Sequence, residues 1–245
     1  MTIDAQQLLA PAIVAMYLKD CLLLLHRDEG VLVQSWSGQW RSGFGLQHWK
    51  LAGREPYVCN PFLPHQPVFR LHWRMTPASQ KRWGSLAGAT PELLSLRPWV
   101  IAIWLILFIL MPVALMSGMG WMPALCVVVV LYGVIVSALL FTHRRRAALG
   151  LDRAKFAVLA FELLACPPYA PNLLRRVSLL RTVDEDLVVA GARLMTPARA
   201  ADVRRACVSR VDEEIDATPE DSARHAALLA SRRELQPTGQ DHVDD

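Results

Sequence analysis

The residues best suited to chemistry lie in two proline-rich stretches. "CNPFLPHQPVFRLHW", from Cys59 to Trp73, holds Cys59, His65, Arg70 and His72. "CPPYAPNLLRRVSL", from Cys166 to Leu179, opens on Cys166. Cys59, His65 and His72 can bind metals or move protons. Zinc, however, takes four ligands at recognisable spacings, and no fourth is apparent, so neither a metal nor a cofactor is expected. Residues two apart on a strand share a face, which puts Arg70 and His72 on one side and Leu71 on the other. Asn60-Pro61 and Pro64 force a turn ahead of that strand, and the plainer reading is a rigid turn that sets its register.

A thiol becomes reactive when neighbouring cations favour its thiolate. For Cys166 the nearby cations are Arg175 and Arg176. The prolines at 167, 168 and 171 break a helix there, which favours a structural corner. If the regions before and after the apolar block fold together, the Cys59 and Cys166 stretches would meet in one cleft. Other catalytic signatures are missing. No phosphate-cradling glycine loop is followed by Lys-Ser/Thr, and there is no Gly-x-Ser-x-Gly elbow or His-Glu-x-x-His helix. Asp212, Glu213, Glu214 and Asp216 read as a solvated face, and Asp184, Glu185 and Asp186 as a helix start that the dipole favours.

The elements that must position these residues differ along the chain. Residues 21 to 73 read as about five or six short strands forming a small antiparallel sheet or barrel. "CLLLLH" and "VLVQSW" are joined by the turn Arg27-Asp28-Glu29-Gly30, followed by "WSGQWRSGFG", "LQHWKL", "PYVC" and "VFRLHW". Trp36, Trp40, Trp49 and Trp73 are expected in its core. Ahead of it, Leu8 to Met16 reads as a short helix packed on this region, interrupted by Pro11. Residues 74 to 98 read as a linker, with a short helix from Pro91 to Arg97.

From Pro98 to Thr142 there is no charged residue. The block divides into 99–117 and 121–142, joined by Gly118-Met119-Gly120. A bilayer core needs roughly 20 apolar residues in a helix, and both runs meet that length. The expectation is a two-helix transmembrane hairpin, with Trp99 and Trp121 at the interfaces and Pro112 kinking the first helix. Lys81, Arg82 and Arg97 precede it, and Arg144, Arg145, Arg146, Arg153 and Lys155 follow it, whereas the connecting turn has no basic residue. That asymmetry predicts both flanks in the cytoplasm, with Arg144, Arg145 and Arg146 at the headgroups. No cleavable signal is visible at the start, where Asp4 stands in place of a basic segment.

Residues 143 to 236 read as a helical module. Asp152 caps a first helix, and further helices open at Pro171, Asp184, Thr196-Pro197 and Thr218-Pro219. The apolar stripes of the last two are thin and suit pairing with each other or with a partner helix. Residues 237 to 245 read as a disordered tail.

The fold class is therefore a membrane protein with residues 1–73 as an N-terminal β module and a C-terminal α-helical module around the hairpin. Five scattered cysteines suit a reducing compartment and no disulfide framework. Only four of the 26 basic residues are lysine, a bias associated with GC-rich bacterial genomes. Net charge is +4, and the C-terminal arginines are interleaved with acids without stacking aromatics, which argues against nucleic acid as a partner. Neither span carries Asp, Glu, Lys, Arg or His, which argues against transport by this chain alone. These features lead to the expectation of a non-catalytic scaffold or regulatory subunit anchored in a bacterial inner membrane. Membrane lipid and a protein partner, or a second copy, would be its contacts. The alternatives are a membrane-bound enzyme acting on a lipid or lipid-linked substrate, and an accessory subunit of a transporter.

Overall fold

The computed structural model describes residues 5–73, 86–117, 121–181, 183 and 185–236. The expected glycine turn at 118–120, Lys81 and Arg82, the Asp184 cap and the tail at 237–245 lie outside the described residues.

Small antiparallel sheets occupy the N-terminal part and helices the C-terminal part. Among the described residues five strands form, β1 (Leu22–Leu25), β2 (Glu29–Gln34), β3 (Trp40–Gly43), β4 (Glu55–Val58) and β5 (Val68–His72). They make two sheets, one ordered β1-β4 and the other β3-β2-β5. β2 and β3 are antiparallel, with Val31 opposite Gly43 and Gln34 opposite Trp40. The expected turn between the first two strands forms one residue early, over His26–Glu29, where the Glu29 N–H donates to the His26 carbonyl at 3.0 Å, and the strands it joins lie in different sheets. Glu29 both closes that turn and opens β2: its carboxylate accepts from the His26 N–H at 2.7 Å and from the Arg70 Nε at 2.7 Å. "LQHWKL" is not a strand either. Leu51 bridges only to Arg54, around a tight corner with Gly53 in the left-handed region, at φ 76°.

Ten α-helices run in the order α1 (Ala5–Asp20), α2 (Leu86–Leu94), α3 (Arg97–Leu105), α4 (Met111–Met116), α5 (Met122–Arg144), α6 (Arg153–Ala165), α7 (Leu173–Leu180), α8 (Leu187–Leu194), α9 (Pro197–Asp216) and α10 (Ala223–Leu235) among the described residues. α1 continues through Pro11. Pro11 lies past the first turn, so the helix forgoes the hydrogen bond that would have gone to the Gln7 carbonyl. α2 likewise begins before Pro91 and ends at Leu94, and Arg97 opens α3 with Pro98 in its first turn. A π-helical turn, Ile106–Leu110, joins α3 to α4 just before Pro112. Proline has no N–H to give to residue 108, and the widened turn absorbs the defect. Asp152 caps α6 by accepting from the Lys155 N–H at 2.7 Å. Pro167–Asn172 is a 3₁₀ turn and not the start of an α-helix, because three prolines in five residues leave too few donors for one. α8 is capped by Asp186, and α10 by Ser222 instead of the Thr218-Pro219 pair.

The chain groups into two compact units, each assembled from separated segments. The first comprises residues 1–23, 57–69 and 85–182, and the second 24–56, 70–84 and 183–245. In the first, α1 packs against the 3₁₀ turn, and the Tyr17 ring lies 4.8 Å from Phe108. Tyr17 also reaches the region that α1 is expected to pack on, its hydroxyl donating to the Pro61 carbonyl. Two long helices, Thr90–Met116 and Met122–Arg144, are apolar enough to cross a membrane. They run antiparallel. Met111, Ala114 and Val127 cluster at one end, and Trp99 lies 6.0 Å from Phe141 at the other.

In the second unit, Val31, Leu32, Leu71 and Trp73 are buried with Leu187 and Val211. Gly30 is constrained by packing, since a Cβ there would come within 2.6 Å of Leu187. α9 pairs with α8 and α10 through Val203, Cys207 and Val211. Two expectations need correcting here. Trp40 and Trp73 are buried, but Trp36 and Trp49 are 62% and 73% exposed, because both sit on turns and not on a strand's inner face. Glu214 is buried too, and pairs with Arg27 and Arg224 instead of facing solvent.

Candidate functional site

α7 carries Asn172, Arg175 and Ser178 at three-residue spacing around its start and along one side, amid Leu173, Leu174 and Val177. All three polar residues are buried, Arg175 being only 3% exposed. A buried guanidinium needs acceptors for its donors, and Arg175 finds four of them through its two terminal nitrogens. Nη1 of Arg175 donates to Asn172 Oδ1 at 2.9 Å and to Cys21 Sγ at 3.2 Å. Nη2 donates to the carbonyls of Asn60 and, at 2.8 Å, Leu63. Those two carbonyls belong to residues that precede Pro61 and Pro64. Residues 59–67 contain three prolines, so the stretch has more carbonyl acceptors than N–H donors. Arg175 supplies the missing donors. Ser178 adds a second tie, accepting from the Val68 N–H at 3.0 Å and donating to the Val68 carbonyl at 2.7 Å.

Around this clasp, Arg176 bonds both oxygens of Asp20, at 3.2 and 3.1 Å from Nε, pairs with Glu162, and stacks 4.8 Å from the Tyr169 ring. Burial opposes its charge, but Asp20 and Glu162 outweigh burial and hold its pKa above the usual value. Asp20 also accepts from Asn172 Nδ2 at 3.0 Å. The Tyr17 hydroxyl donates to the Pro61 carbonyl. Burial, then the neighbouring Cys21, raises its pKa.

The five residues singled out by type fall in different places. Cys59 is buried beside the clasp, its N–H donating to the Cys21 carbonyl at 2.9 Å. Burial pushes its thiol up to about 11, with Arg175 acting in the opposite sense, so Cys59 is a protonated, enclosed thiol. His65 is buried in the same unit, and its carbonyl accepts from Arg97. Burial, then Arg97 and Arg175, lowers its pKa. Cys166 is half-buried and ends α6, donating its N–H to the Glu162 carbonyl at 2.9 Å.

Arg70 and His72 belong to the second unit, on the same face of β5 as expected. Arg70 holds Glu29 and the Leu24 carbonyl, the latter at 3.1 Å. His72 lies 3.3 Å from Asp28 and 3.5 Å from Glu29. No group of three or more His, Cys, Asp or Glu is placed to hold a metal among the described residues.

The second unit has its own buried polar centre. Arg210 donates from Nη1 to Glu55 Oε2 at 2.6 Å and from Nη2 to the Gly45 carbonyl at 2.8 Å, lying over the Phe44 ring at 5.0 Å. Gly45 is required because a Cβ there would stand 2.4 Å from Glu55 Cβ.

Sequence reasoning missed Arg175 and Arg210 as organising residues. For Arg175 the available signal was the Asn172, Arg175, Ser178 spacing within a leucine-rich helix, together with the run of prolines that needs donors. Nothing local marks Arg210, whose partner is 155 residues away.

At the interface positions, Trp99 is half-buried against Phe141, and Trp121 stands exposed at the N-terminus of α5. Arg144 is exposed, Arg145 pairs with Glu92 at 3.4 Å and lies over Phe141, and Arg146 is half-buried. These arginines gather at the Trp99 end of the helix pair, away from Met111 and Val127. No protein-family model, curated protein or solved structure matches the chain, so these residues and their geometry are what a functional reading rests on.

Proposed function

We propose that the chain is an integral protein of a bacterial inner membrane, anchored by the 90–116 and 122–144 helices with both flanks in the cytoplasm. Its work there is scaffolding or regulation within a membrane-associated assembly. The observation that carries the anchoring is the outward face of the helix pair. Only 28% of the most apolar stretch of each helix is covered by protein. Val113, Met116, Val129 and Leu140 stand uncovered. A helix of a water-soluble core hides such residues, whereas lipid solvates them. The arginines at one end support the orientation.

A non-catalytic role is supported by what occupies the chemically capable residues. Arg175 and Arg70 are committed to structural hydrogen bonds, Cys59 is enclosed and protonated, and the five candidates are divided between two compact units. An enzyme acting on a lipid-linked substrate is the second reading. It predicts lost activity at normal protein level when His65, His72 or Cys166 is replaced by Ala.

The test is fractionation, topology and recovery. The protein should remain with the membrane after alkaline washing. A reporter fused after Asp245 should be active only in the cytoplasm, and mild solubilisation should recover a reproducible partner. Periplasmic reporter activity overturns the orientation, and repeated recovery of a lone monomer overturns the scaffold.

A further inference from the structure

We propose that a basic depression at the cytoplasmic end of α5 seats the phosphodiester of an anionic phospholipid, an inference that rests on the membrane reading above. The depression has a volume of about 340 Å³ and is lined by His143, Arg146, Arg153 and Phe156. Its shape comes from the reversal between α5 and α6. The Arg146 N–H donates to the His143 carbonyl at 3.3 Å, and the Leu151 N–H to the Arg146 carbonyl at 2.9 Å. Gly150 takes the left-handed conformation, φ 69°, that lets the chain double back. Arg153, in the first turn of α6, is thereby brought to the same depression as Arg146. Phe156 stands one turn further on, 5.0 Å from His143 ring to ring.

The charges there differ from their neighbours. Arg145 is matched by Glu92 and laid over Phe141. Lys155 gives its ammonium to the Leu180 carbonyl at 3.3 Å. Asp152, the nearest acid in sequence, accepts from the Lys155 N–H as the α6 cap. Arg146 and Arg153 have no carboxylate partner among the described residues. Two guanidinium groups drawn together without a counter-anion repel each other, and an anion from outside relieves that repulsion. A phosphodiester fits the planar donor forks of arginine, which grip it bidentately. The apolar wall of Phe156 suits the glycerol and first methylenes of a lipid better than it suits a free ion. The location agrees, since the depression follows directly on the uncovered Leu140 at the end of a membrane-length helix, where headgroups lie.

The test uses the full-length protein in neutral detergent micelles, titrated with phosphatidylglycerol, phosphatidylcholine or inorganic phosphate while the thermal midpoint is followed. Phosphatidylglycerol should raise the midpoint saturably, and phosphatidylcholine should not. The R146A/R153A variant should weaken the apparent affinity roughly tenfold. R204A/R205A, which removes equal charge from α9, should leave it unchanged. Should the double alanine variant fail to fold, R153Q, at an exposed position, is read in its place and should weaken binding in the same direction. Equal protection by phosphate or phosphatidylcholine, or undiminished affinity in the Arg146 and Arg153 variants, overturns the inference. A chain that stays soluble without detergent overturns the membrane reading itself, and the lipid seat with it. A chain that needs detergent but shows no preference for phosphatidylglycerol overturns the lipid seat alone.

Discussion

Arg175 and Arg210 are both almost wholly buried, but they keep their charge in different company. Arg175, in the first unit, meets the Asn60 and Leu63 carbonyls, the Asn172 amide oxygen and the Cys21 sulfur, and no carboxylate among the described residues. Arg210, in the second, meets the Glu55 carboxylate and one carbonyl. The first arrangement answers a shortage of donors created by prolines. The second is an ion pair, in which each charge makes the other's burial tolerable. The two therefore fail differently. Removing Arg175 leaves acceptors unsatisfied, whereas removing Arg210 leaves a buried anion without its closest counter-charge.

That difference can be broken or sharpened by substitution. The largest effect is expected in the second unit. Arg210→Ala should cost about 3–5 kcal/mol in denaturant unfolding of the solubilised protein. The double variant lacking both Arg210 and Glu55 should lose clearly less than the sum of the two single losses, because no charge is orphaned. Additive losses would show that the pair does not act as a unit. Arg175→Ala should come next, at about 2–3 kcal/mol, since several acceptors and a charged donor are involved. Arg175→Lys should recover little of it, because an ammonium is a point donor and cannot span four acceptors set around a planar fork. Full recovery by lysine would mean that charge, and not donor geometry, is what the proline stretch requires.

The smallest effect concerns His65. Burial, Arg97 and Arg175 hold its pKa below the ordinary value, so the unfolded chain takes up a proton at higher pH than the folded chain does. The stability this gives is present above the ordinary histidine range and falls as pH drops through it. His65→Gln should flatten that part of the pH–stability curve relative to the unaltered protein. An unchanged slope would remove His65 from the account.

Much of the helical architecture is legible locally. The apolar runs at 99–117 and 121–142 form long helices, Asp152 caps α6, and Val203, Cys207 and Val211 mark the inner side of α9. Turn chemistry was less informative. Arg27 to Gly30 reads as the turn, but it closes one residue earlier, at Glu29, whose carboxylate is held by Arg70, a residue 41 positions away. Trp36 and Trp49 look like core residues by type, yet their place on turns leaves them exposed. The chemically conspicuous residues also mislead. Cys59 and His65 attract attention as functional groups, whereas the burial that disables Cys59 and the arginine that organises the site come from distant segments.

The sequence by itself determined where apolar helices run, where charge gathers at their ends and where strands can form, because these depend on residues within a turn or two of one another. Only the tertiary structure decided which strands pair, which tryptophans are covered, and that Arg175 answers the prolines of 59–67 while Arg210 answers Glu55. The reason is physical. A buried acceptor or charge must be matched by whatever donor folding brings to it, and separations of 112 and 155 residues leave no trace in local composition.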